Sequence, residues 1–206
     1  MFDLPPPDPS LEIVIASRGY SKGLAQTEGV QILARGEVAF GHAYVGLLWK
    51  NVTSPVADGE AQSYLGYRTR AGGFDLNATI GYHHQTGVDG PTDDDRFEVS
   101  ATVSRPFGRI TPRVQIVASP NDFGGTRESI YFESGASVSI LPGASLSANI
   151  GRRERSGGTD YTAFNFGASY TVRNMVTLEL RYHDTAQSNF GEIYEPRVVG
   201  SMRLRF

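Results

Sequence analysis

Charged side chains recur at every second position in several segments of this chain. Arg35 stands two residues before Glu37, and Glu179 stands two residues before Arg181. Rows of guanidinium groups attract anions, and neighbouring carboxylates neutralise part of that charge. This spacing therefore indicates charged walls that contact ions or hydrophilic solutes.

Residues for covalent or metal chemistry are scarce. The chain has no cysteine, which excludes disulfides, thiolate zinc sites and cysteine nucleophiles. The run Asp93-Asp94-Asp95 offers carboxylates to calcium, but it lacks the calcium-loop pattern and is interpreted as a solvated acidic loop. The net charge of −3 disfavours a general nucleic-acid binder. We therefore predict no catalytic residues, no metal site, no cofactor and no nucleic-acid partner.

Alternation of apolar and polar residues is the dominant pattern in the chain. Phe97, Val99, Ala101 and Val103, for example, are separated by single polar residues. A period of two is typical of β-strands, and no segment of similar length has the 3.6-residue period of a helix. No run approaches the roughly 18 consecutive apolar residues of a transmembrane helix. The sequence therefore predicts an all-β chain.

Twelve strands follow from this alternation and from the breaks between the segments. The predicted strands are 11–20, 29–40, 43–51, 61–70, 74–85, 95–106, 110–119, 128–140, 144–155, 159–172, 175–185 and 195–206. Short breaks such as Gly41-His42 and Arg173-Asn174 alternate with longer ones, which are 21–27, 52–60, 87–94, 120–127, 156–158 and 186–194. This order of connections indicates an up-and-down antiparallel meander.

The apolar faces of these strands are predicted to contact lipid. Most predicted strands have 10–13 residues, more than the roughly 5–6 of globular strands and enough for a tilted strand to cross a bilayer. The opposite faces are charged and rich in Gly and Ser. Because lipid offers no hydrogen-bond partners, a sheet that spans it must close. We therefore predict a transmembrane up-and-down antiparallel β-barrel of about twelve strands, with short periplasmic turns and longer extracellular loops.

Aromatic residues on the apolar faces concentrate near the strand ends. They are predicted to form two girdles at the membrane interfaces, where amphipathic rings are favoured. The girdle at the short turns comprises Phe40, Phe74, Phe107, Tyr170 and Phe206, and the girdle at the long loops comprises Trp49, Tyr82, Phe97, Phe132, Phe164 and Tyr182.

An even strand number places both ends of the barrel on the periplasmic side in outer-membrane barrels. The Pro-rich residues 1–10 are interpreted as a short periplasmic tail, and residues 11–206 as a single barrel domain. The chain opens with no signal-peptide pattern, so we expect a mature form located in the bacterial outer membrane.

The sequence also resembles the TorF family of Gram-negative porins. The resemblance is clearest at Ala16–Ser21, at Trp49–Val52 and at Tyr64–Arg68. It implies an outer-membrane β-barrel with a channel function. The terminal Phe206 follows alternating apolar residues and is similar to the signal by which such barrels are recognised. The barrel assembly machinery is therefore an expected partner.

Charged residues on the polar faces are predicted to line the lumen. These pore-lining residues are Arg18, Arg35, Glu37, Lys50, Arg68, Asp75, Glu98, Arg113, Glu133, Arg153, Glu179, Arg181 and Arg203. The same parity adds Arg70, Arg197, Arg205 and Glu12, so that bases outnumber acids on the wall. The expected function is passive diffusion of small hydrophilic solutes or ions, with a weak preference for anions.

Two other functions stay open at this point. Twelve strands lie between the filled barrels of about eight strands and the open porins of about 16–18, so Arg–Glu pairs could brace a largely plugged barrel with a structural or loop-binding role. A lipid hydrolase would need a base at the lipid interface, where His84 has the right parity. No serine can be paired with His84 from the sequence, and an interfacial histidine is the preferred interpretation.

Outer-membrane lipids, including lipopolysaccharide, are the expected surroundings of this barrel. Arg152, Arg153 and Arg155 lie at the predicted long-loop end, where lipopolysaccharide phosphates would be. Arginine suits phosphate because its planar guanidinium group offers several donors. A charge cluster in the lumen or at its rim is the alternative interpretation of these three residues.

Overall fold

The structure is a computed structural model and describes residues 5–54, 57–88 and 93–206. Twelve of its strands form a closed antiparallel barrel, and the short β2 and β3 form a separate hairpin. The strands are β1 (Asp8–Ala16), β2 (Tyr20–Ser21), β3 (Leu24–Ala25), β4 (Gln31–Phe40), β5 (Ala43–Ser54), β6 (Ala57–Ala71), β7 (Phe74–Thr86), β8 (Asp95–Ser104), β9 (Ile110–Asp122), β10 (Arg127–Leu141), β11 (Ala144–Arg155), β12 (Tyr161–Val172), β13 (Val176–Thr185) and β14 (Arg197–Arg205). Single-turn 3₁₀ segments lie at Gly124–Thr126, Ser188–Phe190 and Glu192–Tyr194. No helix in this part of the chain is long and apolar enough to cross a membrane.

The barrel closes because its first strand pairs with its last. Glu12 of β1 lies opposite Arg35 of β4 on one side and opposite Arg205 of β14 on the other. The described strands therefore leave no open sheet edge, which is the condition for a sheet in lipid. The predicted up-and-down barrel of twelve strands is confirmed.

Alternate residues of each strand face opposite environments. On β5, Trp49 is 46% exposed on the outer surface, whereas the next residue, Lys50, is 6% exposed in the interior. The outer surface carries many exposed apolar side chains, including Leu47 and Leu180. This is the reverse of a soluble barrel, and it follows from the lipid that surrounds the outer surface.

The short turns adopt left-handed backbone conformations that suit tight hairpins. Gly72 and Gly73 have φ values of 59° and 82° between β6 and β7. Arg173 and Asn174 have φ values of 51° and 57° between β12 and β13, although neither is glycine. Two consecutive residues with positive φ are typical of the type I′ turn, whose twist matches that of the strands it joins.

The largest differences between predicted and observed strand boundaries lie in β1, between β5 and β6, and at the end of β9. β1 begins at Asp8 and ends at Ala16, so residues 8–10 belong to the barrel rather than to the predicted tail, and 17–20 belong to the first extracellular loop. Residues Met1–Leu4 of that tail lie outside the described residues. The predicted long loop 52–60 is mostly strand, because β5 continues to Ser54 and β6 begins at Ala57. β9 likewise continues to Asp122 through the predicted loop 120–127. Where the strands are longer than predicted, pairing with a neighbouring strand overrides the local turn signals.

Two tyrosines inside the barrel cover glycines on the neighbouring strand. Tyr44 of β5 lies opposite Gly66 of β6, and Gly46 lies opposite Tyr64. A Cβ atom at Gly66 would overlap the ring of Tyr44, and one at Gly46 would overlap the ring of Tyr64. The rings need this space to lie flat along the wall, a device known from sheets in which aromatic residues cover glycines.

We predict that Gly66→Val lowers the free energy of unfolding by about 1–3 kcal/mol, because the added side chain displaces the Tyr44 ring. The measurement is denaturant unfolding of the barrel in phospholipid vesicles. Gly36→Val is the matched control, since a Cβ atom at Gly36 meets no atom within 4 Å. Equal stability of the two variants would contradict the packing described for Tyr44.

Candidate functional site

The first extracellular loop, residues 17–30, folds into the barrel. Its β2–β3 hairpin reaches several strands of the wall. Tyr20 stacks on His183 of β13 with ring centroids 4.1 Å apart, and the Tyr161 hydroxyl of β12 donates to the Lys22 carbonyl oxygen at 2.8 Å. Gly23, with φ of 85°, packs so closely on Ala163 that a Cβ atom would not fit. The hairpin is therefore held as part of the interior.

Polar contacts fasten the same loop to other strands. Lys22 forms an ion pair with Glu98 of β8. Lys50 Nζ of β5 donates to Gln26 Oε1 at 2.8 Å. β5, β8 and the adjacent pair β12 and β13 lie on three different sides of the barrel, so the loop crosses the lumen rather than following one wall.

Charged side chains beside this loop form one buried cluster, which we call the buried charge network. It consists of Lys22, Lys50, Glu60, His83, Arg96, Glu98, Asp122 and Arg153. Glu60 is the acidic centre of one part: its carboxylate lies 3.1 Å from Lys50 Nζ, 2.9 Å from His83 Nδ1 and 3.4 Å from Arg96 Nη2. Each of these buried charges therefore has oppositely charged groups beside it, which offset the cost of its removal from water.

Asp122 is the acidic centre of the other part of the network. Its carboxylate binds Arg96 Nη1 at 2.9 Å, accepts from Ser129 Oγ at 2.6 Å and pairs with Arg153. Arg96 therefore bridges Glu60 and Asp122. With four protonated lysine and arginine side chains and three carboxylates, the network has one formal positive charge when His83 is neutral.

The excess charge affects Lys22 in the loop. Burial, with a smaller contribution from the nearby Arg96, lowers the pKa of Lys22 to about 8, and the Glu98 carboxylate opposes both effects. The second titratable group of the hairpin is Tyr20, and burial raises the pKa of its hydroxyl. The hairpin is thus held in place by a lysine whose protonated form carries a burial cost.

Below the network, towards the periplasmic turns, the lumen opens into a cavity of about 730 Å³. His83 and Glu98 line its upper end, and Arg35, Glu37 and Arg68 line its wall. The charges here are more exposed than in the network: the Arg68 side chain retains 47% of its accessible surface. The interior therefore consists of a compact extracellular half, in which the charges are buried, and a periplasmic half with an open cavity, in which they are more exposed.

Most of the predicted pore-lining residues face this interior. They are Arg35, Glu37, Lys50, Arg68, Asp75, Glu98, Arg113, Glu133, Arg153, Glu179, Arg181 and Arg203. Arg113 pairs with Glu133, and Arg181 donates to Glu179 and to Ser147. The placement of Arg18 on a strand is wrong, because Arg18 lies in the first loop, where it donates to the Glu28 carbonyl oxygen at 2.6 Å.

Five members of the buried charge network were not among the predicted pore-lining residues: Lys22, Glu60, His83, Arg96 and Asp122. Glu60 and Asp122 fell in predicted loops that the structure shows as strand. His83 and Arg96 lie on strands that were predicted, with the parity of Glu98, so that parity alone would have placed them in the lumen. No pattern in the sequence marks Lys22, since its position depends on how the loop folds.

The predicted girdle residues lie on the outer surface or at its rim. Trp49, Phe74, Tyr82, Phe97, Phe107, Phe132, Phe164, Tyr170 and Phe206 are exposed, and Phe40 and Tyr182 are half-buried. Tyr182 packs against Phe166 with ring centroids 5.2 Å apart. The prediction omitted Tyr67 and Phe166, which are exposed on the same surface.

Of the remaining polar candidates, His84 and Arg152 lie outside the lumen, whereas Arg155 lies at its extracellular mouth over the ring of Tyr161. His84 Nδ1 is 3.9 Å from an Asp94 oxygen. Arg152 pairs with Asp160 at 3.3 Å, and Arg155 donates to the Tyr194 hydroxyl at 3.0 Å. Across the described residues, no group of three or more His, Asp and Glu side chains is arranged to hold a metal ion.

We predict that Lys22 makes the stability of the barrel depend on pH between about 8 and 10.5. Below this range both the folded and unfolded chains hold the proton, so the full cost of burying the ammonium group is present. Within it the folded chain releases the proton first, so stability rises with pH, by roughly 1–3 kcal/mol in total.

The measurement is the free energy of unfolding in denaturant across this pH range, compared with Lys22→Met as the variant without the titrating group. The rise should be absent from Lys22→Met. Parallel pH profiles for the two proteins would show that the lysine does not titrate as described.

Solved structures share this architecture. The KdgM porin aligns with a TM-score of 0.67 and 7% identity over 96% of this chain and 99% of its own. The NanC porin aligns with a TM-score of 0.60 and 9% identity over 95% and 97%. The COG4313 outer membrane channel from Pseudomonas putida F1 gives 0.57 and 12% identity over 96% and 94%. Identities this low show a common fold alone.

Comparison of the sequence with protein families identifies the family of the chain. No protein of curated function matches the chain. The pattern of Porin_4, described as Gram-negative porin, matches residues 19–190, which is most of the chain. A porin of this type is a protein of the outer membrane, as the barrel and its apolar outer surface require. The chain belongs to the Gram-negative porin family Porin_4.

Proposed function

We propose that this porin is a channel for passive diffusion of small hydrophilic solutes or ions, with a weak preference for anions. The observation that carries the proposal is the unbalanced positive charge of the inner wall. Arg35, Arg203 and Arg205 share the single carboxylate of Glu12. The buried charge network adds one more positive charge. Rings of arginine in a pore favour anions over cations.

The first extracellular loop is the proposed constriction of this channel. Its hairpin contacts β8 through Lys22 and β12 through Gly23. A solute that crosses from the extracellular side would have to pass beside these contacts, whereas the cavity on the periplasmic side already has room for several small molecules. We therefore expect a channel of low conductance, whose size is set by the loop and not by the twelve-stranded wall.

A largely plugged barrel with a structural or loop-binding role is the second candidate function. It is favoured by the packing around the hairpin, where Tyr161 is completely buried and Leu24, Ala163 and Tyr194 form a small apolar cluster with it. A lipid hydrolase has less support. His84 contacts Asp94, but this pair supplies no nucleophile.

Three further expectations, two about partners and one about the family, remain proposals. The terminal Phe206 is exposed, as a residue read by the assembly machinery would need to be, and membership of the TorF family would fit this ending. The exposed Arg152 and its neighbour Arg155 are the proposed contacts for lipopolysaccharide phosphates.

We predict stepwise currents of low conductance, with a reversal potential that indicates anion selectivity, when the refolded barrel is inserted into a planar bilayer under a KCl gradient. Replacing residues 20–25 by a Gly-Ser linker of equal length should raise the conductance several-fold, because the hairpin contacts are removed. Arg152→Gln serves as a control for selectivity, since Arg152 lies outside the lumen.

Cation selectivity would overturn the anion preference. If the wild type stays silent while the linker variant conducts, the barrel is plugged by its first loop. If both stay silent although gel mobility shows that they are folded, the channel function itself is wrong.

A further inference from the structure

Three arginines converge on one carboxylate at the seam where the barrel closes. Arg35 Nη1 lies 3.4 Å from Glu12 Oε1, while Arg205 Nε lies 3.1 Å and Arg203 Nε 3.6 Å from Glu12 Oε2. The three guanidinium groups and one carboxylate leave two formal positive charges. We call Glu12, Arg35, Arg203 and Arg205 the seam cluster.

No other carboxylate within the described residues lies close enough to pair with the seam arginines. Glu37, two residues from Arg35 on β4, is occupied by Arg68 and by the Tyr64 hydroxyl. Glu179 of the neighbouring β13 is occupied by Arg181. The positive charge of the seam cluster is therefore not neutralised by the wall around it.

Two donors in the seam cluster lack acceptors. The Nε atoms of Arg35 and Arg203 are buried and make no hydrogen bond to any described residue. A buried N–H group without an acceptor is costly, and a donor on a charged group more so. An anion bound beside the exposed parts of the guanidinium groups would supply the missing negative charge.

The register of the strands brings the arginines together. Glu12 lies directly opposite Arg35 on β4 and directly opposite Arg205 on β14, so the two arginines flank it on either side. Their guanidinium groups lean towards the same carboxylate, and that of Arg203 joins them. The two positive charges left over match the charge of a small dicarboxylate.

The seam cluster is also open to solute. The side chains of Arg35, Arg203 and Arg205 retain 41%, 43% and 54% of their accessible surface, in contrast to the dry network above them. Arg35 lines the periplasmic cavity directly. Glu12 competes with any bound anion, which keeps binding weak enough for release, as transport requires.

We infer that Arg35, Arg203 and Arg205 form a binding site for small dicarboxylates in the periplasmic half of the lumen, with Glu12 as the carboxylate against which a bound anion competes. The inference rests on the proposed channel function for its physiological meaning, but binding itself does not depend on conduction. Bidentate contacts between guanidinium and carboxylate groups give the site its preference for planar anions over spherical ones.

We predict that the refolded barrel in detergent binds succinate with millimolar affinity in isothermal titration calorimetry. Arg203→Gln combined with Arg205→Gln should weaken binding by about tenfold, because two charge-assisted contacts are lost. Glu12→Gln should strengthen binding several-fold, because the competing carboxylate is removed. Arg109→Gln combined with Arg173→Gln removes the same two positive charges at exposed periplasmic turns and should leave binding unchanged.

Inorganic phosphate and propionate are the comparison ligands, which test whether binding requires a dicarboxylate. Phosphate as tight as succinate would show a general anion site, and propionate as tight as succinate would show that a single carboxylate suffices; either result overturns the dicarboxylate assignment. Weaker binding after Glu12→Gln, with heat-dependent gel mobility unchanged, would overturn the competing role of Glu12.

The test is separable from that of the channel. Succinate binding by a barrel that stays silent in the bilayer would retain the seam site and remove the proposed function. Currents without succinate binding, or with binding unaffected by the double arginine variant, would retain the channel and remove the seam site.

Discussion

The pairing of β1 with β14 is the interaction on which the rest of this molecule depends. In hydrocarbon an unpaired strand edge leaves a row of donors and acceptors without partners, so the sheet can exist there only as a closed cylinder. Glu12 opposite Arg205 and Ala16 opposite Ser201 mark the ladder that completes it. Closure also fixes two distinct surfaces. Every second side chain must meet lipid, and the remaining ones must share a narrow interior.

That interior accommodates its charges in two different ways. In the extracellular half, Arg96 bridges Glu60 and Asp122, and the first loop excludes water. Charges removed from water persist only when each has close partners, so these residues brace the strands that carry them. In the periplasmic half, water remains and screens the arginines, so the wall tolerates an excess of positive charge. The buried, paired charges that brace the strands thus lie in the extracellular half of the barrel, and the charges exposed to solute lie in the periplasmic half.

The alternation of residues was sufficient to predict the strands, their approximate number and which side chains face inward, because a period of two depends only on local geometry. Arg35, Arg113 and Arg181 were placed in the lumen on this basis. The hairpin was not predictable. Its anchor, Lys22, meets Glu98 across 76 positions of sequence, and no local pattern encodes such a contact. Glu60 and Asp122 were hidden for another reason, since nearby Pro, Asp and Gly residues indicate turns where strand pairing prevails.

The two halves also differ in how their charge responds to pH. The basic groups of the seam cluster are guanidinium groups, a type of side chain that stays charged in proteins. The hairpin depends on Lys22, whose pKa is lowered to about 8, so its charge is lost in mild alkali. Loss of that proton removes both the attraction to Glu98 and the repulsion from Arg96. Alkaline conditions are therefore expected to alter the proposed constriction, while the charge of the seam cluster stays constant. In the proposed channel, passage through the loop and binding at the seam are for this reason separate properties, controlled by residues that share no contact.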